Sequence, residues 1–252
     1  LLALVGTISH WQIVLIRGLS MLLGLSMIVA SYSTLKRWMN VPVAIVTASL
    51  ITFSTIEIAW SRQVRMYAAL QICFWLSLYC YERWRSGKLH WLYPATLTLC
   101  TVLVHELGMY LLLAYVLFEV VSRKKYIVLS TMSIIVIALI FSHLLVPSLP
   151  YVNYWWHYLY YLITNYYLLV CLALLGSWWL AKTQQRLVAW LVVVWISWLF
   201  CLSFIVPLLQ YRYLFMTLPI LLTLAAAGLV WLWRQRWPGK LAVGLSVGIL
   251  LW

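Results

Sequence analysis

The chain alternates long, continuously apolar runs with short basic clusters. The clusters are Lys36–Arg37, then Arg83, Arg85 and Lys88, then Arg123, Lys124 and Lys125, then Lys182 and Arg186, then Arg234, Arg236 and Lys240. The runs between them lack the every-second-residue alternation of a transmembrane strand. Helices satisfy their own backbone groups and are the remaining spanning element. Basic clusters collect on the cytoplasmic side of a membrane. With all five there, each intervening stretch crosses an even number of times. Residues 38–82 then hold two crossings that turn near Ser61–Arg65. Residues 89–122 hold two that turn near His105–Gly108, residues 126–181 two with an outer loop near Pro147–His157, and residues 187–233 two that turn near Gln210–Tyr213. Residues 12–34 add one crossing and 241–252 begin another. A span needs roughly 20 apolar residues, so the 89–122 pair is short. The pattern predicts an all-α, polytopic transmembrane bundle of about ten spans, with residues 1–252 forming a single transmembrane domain.

Composition supports lipid as the solvent. Of the 252 residues 66% are hydrophobic and only 8% charged, and the mean hydropathy is +1.00. Soluble domains carry about 25% charged residues. The 17 Trp and 17 Tyr suit membrane interfaces. The net charge of +13 is split into clusters and forms no single basic face, which argues against a nucleic-acid partner and for membrane lipids. Cys73, Cys80, Cys100, Cys171 and Cys201 lie inside apolar runs without a CxxC pair, and read as small apolar side chains. The chain does not open with Met and stops within an apolar run. It is read as a fragment lacking an upstream span.

The informative charges are those off the basic side: Arg17, Glu57, Arg62, Arg65, His105, Glu106, His157 and Arg212. Ionisable groups at membrane depth are costly and mark function by default. All six Lys fall in the basic clusters, whereas every cation at the outer turns is Arg. Arg offers a planar fork that matches phosphate oxygens and sheds water more readily than Lys. An anionic, phosphate-bearing ligand accounts for that segregation. The plainer alternative pairs each Arg with a nearby Glu or a lipid headgroup. Likewise Glu57 could close an internal salt bridge, and His105–Glu106 could be a polar cap on a helical hairpin. The aromatic stretch Pro150–Tyr161 reads first as an interfacial belt.

The segment Ser61-Arg62-Gln63-Val64-Arg65-Met66-Tyr67-Ala68 at the first outer turn resembles a signature of the GT-C glycosyltransferases related to dolichyl-phosphate-mannose protein mannosyltransferases. Ser61, Arg65, Met66, Tyr67 and Ala68 fit it. Gln63 stands where many members carry an acid, and Glu57 lies six residues earlier, about 600° around a helix. Three further stretches are similar to the family in the same order along the chain. They are Arg17 with Tyr32, then His105-Glu106-Leu107-Gly108, then Arg212-Tyr213-Leu214 followed by Pro219 and Gly228.

The resemblance implies a bacterial cytoplasmic-membrane enzyme with its site facing the periplasm or exterior. It would move a sugar from a polyprenyl-phosphate donor to a lipid, glycan or protein acceptor. Arg65, Arg212, Arg62, Tyr67, Tyr213 and Arg17 would hold the donor phosphate, whose growing negative charge guanidinium groups stabilise. The acceptor hydroxyl needs a general base. In the family this is an Asp in the first outer loop, and this chain has no Asp. That loop is expected upstream of Leu1, with Glu57, His105 and Glu106 as secondary catalytic candidates. No cofactor is fixed by the pattern, and a divalent metal is left open. Two other classes compete: a transporter or flippase of lipid-linked glycans, and a non-catalytic assembly subunit. On the enzyme reading, Arg65→Ala in the complete protein abolishes sugar transfer while membrane insertion is retained. Normal transfer by that variant, measured in isolated membranes, would remove Arg65 from the site.

Overall fold

The computed structural model describes residues 13–63, 65–121, 154–204, 206 and 211–235. Among them the chain is all-helical. The elements are α1 (Ile13–Trp38), α2 (Val41–Phe53), α3 (Thr55–Ser61), α4 (Tyr67–Arg85) and α5 (Leu92–Val104). A 3₁₀ turn (Glu106–Met109) leads into α6 (Tyr110–Val121). Then come α7 (Trp155–Ala181), α8 (Gln185–Phe204), a second 3₁₀ segment (Tyr211–Thr217) and α9 (Leu218–Arg234).

Local chemistry explains several boundaries. Asn40 caps α2, its side chain accepting the Val43 N–H at 3.0 Å, and Pro42 sits in the first turn, where its missing donor costs nothing. Ser54 ends α2 and starts α3, because its hydroxyl accepts the Glu57 N–H at 3.3 Å. The two helices bend by 62° there without a proline. α4 closes at Gly87, which has φ +70°. The Gly87 N–H bonds to Trp84 O and the Lys88 N–H to Arg83 O, both at 2.9 Å, the pair of bonds of a Schellman cap.

α9 is the core. Every residue from Leu218 to Val230 is buried, so this helix is apolar all round, as a fully enclosed helix must be. It packs most extensively on α7 and then on α2. α4 packs on α5 and α1, and α8 on α6 and α7. The α7–α9 contact is backbone to backbone. A Cβ added at Gly176 would meet Leu224 O at 1.9 Å, and one at Gly228 would meet Leu172 O at 2.3 Å.

Four helices are long and apolar enough to cross a membrane: Arg17–Trp38, Trp155–Ala181, Gln185–Phe204 and Tyr211–Arg234. The bent pair Val41–Phe53 and Thr55–Ser61 makes a fifth if it counts as one span. The expectation of about ten is thus not met among the described residues. α5 and α6 hold 13 and 12 residues, at most about 20 Å of helix each, against a hydrocarbon core of about 30 Å. α4 carries Glu82, Arg83 and Arg85 near its end and is less apolar. The crossing expected just after residue 126, the loop around Pro147 and the span beginning at 241 lie outside the described residues.

The described basic clusters gather at one end of the bundle. Arg37 donates to the Tyr79 hydroxyl at 2.6 Å, and the Trp38 indole to Glu82 at 3.1 Å, tying α1 to α4. Arg85 and Arg186 line a common cavity. Lys182 lies over the Trp178 ring and Arg234 over Trp179. Replacing Gly228 by Val forces α7 and α9 apart. The expected result is a loss of about 3 kcal/mol or more, the upper range for overpacking, read as a lower unfolding midpoint in detergent. An unchanged midpoint would show that the close approach of α7 and α9 is dispensable.

Candidate functional site

At the end opposite the basic clusters, the α3–α4 turn, the α5–α6 turn and the second 3₁₀ segment meet around Tyr67. Tyr67 is the first residue of α4 and is 2% exposed. The Trp60 ring meets it edge-on at 5.0 Å, and the His105 ring lies 6.4 Å away. His105 in turn meets Tyr213 edge-on at 6.0 Å. The Arg212 guanidinium sits 5.8 Å from the Tyr67 ring and 5.4 Å from the Tyr213 ring, within reach of cation–π attraction.

Arg212 also borders a cavity of about 240 Å³. Trp60, Tyr161, Tyr166, Trp195 and Tyr211 supply aromatic walls. Tyr161 stacks on Tyr211 with ring centroids 4.2 Å apart. Among the described residues, the buried Nε of Arg212 has no hydrogen-bond partner. A buried guanidinium donor left unsatisfied is costly, and an anion at this position would relieve it. A larger apolar groove of about 520 Å³ adjoins this cavity, running between α2 and α7. The two share Ile56, Tyr166 and Leu218. Both helical breaks lie here: Ser54 lines the groove, and Tyr166, with φ −136° and ψ 26°, interrupts α7.

The backbone of the Arg212 segment is fixed by side chains from two helices. The Trp198 indole of α8 donates to Tyr213 O at 3.0 Å. The Gln71 amide of α4 donates to Phe215 O and to the Glu57 carboxylate, each at 2.9 Å. Glu57 is buried, and its partner is this amide rather than an Arg. It acts as an anchor between α3, α4 and the 3₁₀ segment. Gln71 was not singled out from the sequence. Its signal was a lone amide within the apolar stretch of α4.

The candidates divide. Arg212, Tyr67, Tyr213 and His105 come together. Glu57 joins them through Gln71. Arg62 and Arg65 are exposed on the α3–α4 turn, and neither side chain makes a hydrogen bond or ring contact among the described residues. Arg17 is exposed near the start of α1. It precedes by two turns Gly24, which packs on Ser61. Glu106 is exposed and adjoins His105. His157 lies beside Tyr154. In the described part of the aromatic stretch, Trp156 and Tyr160 are exposed, whereas Tyr158 is buried. Among the described residues no three His, Cys, Asp or Glu side chains converge as a metal site would require.

His105 Nδ1 accepts the Leu107 N–H at 3.1 Å and so caps the 3₁₀ turn. Gly108 follows because a Cβ there would meet the Thr101 carbonyl at 2.6 Å. Burial pushes the His105 imidazole below its ordinary value; the neighbouring Glu106 opposes the shift and Arg212 adds to it. The folded chain therefore binds this proton more weakly than the unfolded chain. Stability from this group is present at neutral pH and is lost as pH falls through the ordinary value. The unfolding midpoint is expected to drop between about pH 7.5 and about pH 5.5, and to drop less in His105→Gln. Equal slopes would show that His105 does not titrate in this range.

No family model matches the chain, and no curated protein and no solved structure matches it.

Proposed function

We propose that the chain is a glycosyltransferase that takes a sugar from a polyprenyl-phosphate-linked donor at the end of the bundle opposite its basic clusters. The observation that carries this reading is the buried Arg212 Nε, without a hydrogen-bond partner among the described residues, beside an aromatic cavity that adjoins an apolar groove. The donor has the same two parts. Its phosphate would meet Arg212, and its prenyl chain would lie between α2 and α7. Sugar faces stack on aromatic rings, which Trp60, Tyr161 and Tyr211 would supply.

The reaction is a displacement at the anomeric carbon. The acceptor oxygen bonds to that carbon, the bond to the phosphate oxygen breaks, and the acceptor proton passes to a base. Negative charge grows on the departing phosphate, and Arg212, pre-placed among rings, stabilises it there. The chain offers His105 and Glu106 within this region as proton acceptors, and holds no Asp. On this reading Arg62 and Arg65 serve at the rim of the site, and the protein lies in a bacterial cytoplasmic membrane with this end outward.

A second reading, a transporter or flippase of lipid-linked glycans, draws on the two broken helices that flank the groove, since interrupted helices mark transporter sites. Membranes containing Arg212→Ala separate the two. With a labelled polyprenyl-phosphate sugar, the enzyme reading expects new glycosidic product from the wild type and a fall of about a hundredfold or more in the variant. Movement of the donor across the bilayer with no new glycosidic bond supports transport and overturns the enzyme reading.

A further inference from the structure

A second cavity, of about 430 Å³, lies at the basic end, bounded by α1, α4, α6 and the connection into α8. None of the residues that line it borders the Arg212 cavity, and what it binds does not depend on the proposed function. Part of the lining is aromatic: Trp38, Tyr81, Phe118 and Trp190. The Trp190 ring is held among Tyr81, Tyr115 and Phe118, with centroids at 5.0, 5.7 and 4.7 Å. The rest is polar, with Glu82 near the end of α4 and Gln184 just before α8. Arg85 lies over the Phe118 ring at 4.7 Å, and Arg186 is exposed.

Two groups of this lining are buried and unpaired. Trp190 is 1% exposed, and its indole N–H has no acceptor among the described residues. The rings around it fix the direction of that donor. The buried Gln184 side-chain oxygen has no donor. Buried polar groups are normally paired. Glu82 accepts from the Trp38 indole at 3.1 Å and the Ser86 hydroxyl at 2.7 Å, one on each oxygen, and a carboxylate oxygen can accept more than one bond.

The complement of such a lining must accept at Trp190 and donate at Gln184. A carboxylate or a phosphodiester has nothing to donate, and an ammonium group has nothing to accept with. A hydroxyl does both. One bridging water takes about 30 Å³, a small part of a cavity that falls within the roughly 300–1,000 Å³ of small-molecule sites. We infer that this cavity binds a neutral polyhydroxylated ring of the hexose type. Its hydroxyls meet Trp190, Gln184 and Glu82, and its C–H face lies on the aromatic part of the wall. A free sugar and the glycosyl headgroup of a lipid present the same atoms.

The test uses the full chain in phosphatidylcholine nanodiscs, which contain no sugar. The methyl glycosides of glucose, galactose and mannose, a short-chain glucosyl diacylglycerol, adenosine and cyclohexylmethanol are titrated separately, with binding followed by thermophoresis. At least one hexoside is expected to saturate. Cyclohexylmethanol, a ring of similar shape with a single hydroxyl, and adenosine, which pairs only along the edge of a flat base, bind at least about tenfold more weakly. Trp190→Phe and Gln184→Leu each weaken hexoside binding about tenfold, the loss of one hydrogen bond. Trp91→Phe alters an exposed indole outside the cavity and leaves binding unchanged. A methyl hexoside that binds as tightly as the glucosyl lipid identifies a free sugar, and binding of the lipid alone identifies a headgroup. Gln184 is half-buried, so its variant carries the test even if Trp190→Phe lowers the unfolding midpoint. The inference is overturned if no hexoside saturates, if adenosine or cyclohexylmethanol binds as tightly as the best hexoside, if both cavity variants bind like the wild type, or if Trp91→Phe loses as much as they do.

Discussion

The crossing of α7 and α9 at Gly176 and Gly228 sets the geometry of everything around it. Lipid tails are as apolar as leucine, so helices in a membrane gain little from burying apolar surface against each other and associate through close packing. Here the packing reaches the backbone itself, since either glycine's missing Cβ would fall on a carbonyl of the facing helix. α9 is thereby fixed in the centre of the bundle, with α7, α2 and the end of α8 arranged around it. The 3₁₀ segment that carries Arg212 runs directly into α9, so the position of that cation follows from the glycine contact several turns away.

Two polar anchors extend that order to the opposite end. Gln71 joins Glu57 to the Phe215 carbonyl, and Trp198 holds the Tyr213 carbonyl. A 3₁₀ segment leaves main-chain groups without their helical partners, and burial makes each one costly. Side chains from α4 and α8 supply those partners, and in doing so lock the segment between them. The site at this end is held from three directions: by α9 below it, by α4 through Gln71 and by α8 through Trp198.

Much of the architecture is legible in the chain because lipid allows few solutions. Continuous apolar runs require helices, and the breaks at Ser61–Arg65 and His105–Gly108 coincide with polar residues that cap or turn. The number of crossings was harder to read. The 89–122 stretch turns at His105–Gly108 as its polar residues indicate, but the helices on either side hold only 13 and 12 residues, short of a full span. The Arg residues were also less separable in sequence than in space. Arg62, Arg65 and Arg212 all sit at turns, yet of the three only Arg212 is drawn in among aromatic rings: its segment leads into the buried α9, whereas Arg62 is the C-cap of the short α3 and Arg65 lies in the turn that follows. The role of Glu57 depends on Gln71, a partner fourteen residues away on the next long helix, which no local pattern signals.

The anchors on the Arg212 segment grip main-chain carbonyls, and every amino acid carries that group. The side chains at 213 and 215 can therefore change over evolutionary time without altering the path of the backbone. The residues under tightest restraint should be Gln71 and Trp198, which lie on other helices and hold those carbonyls. A protein built this way can vary the side chains of this segment while keeping Arg212 where it stands.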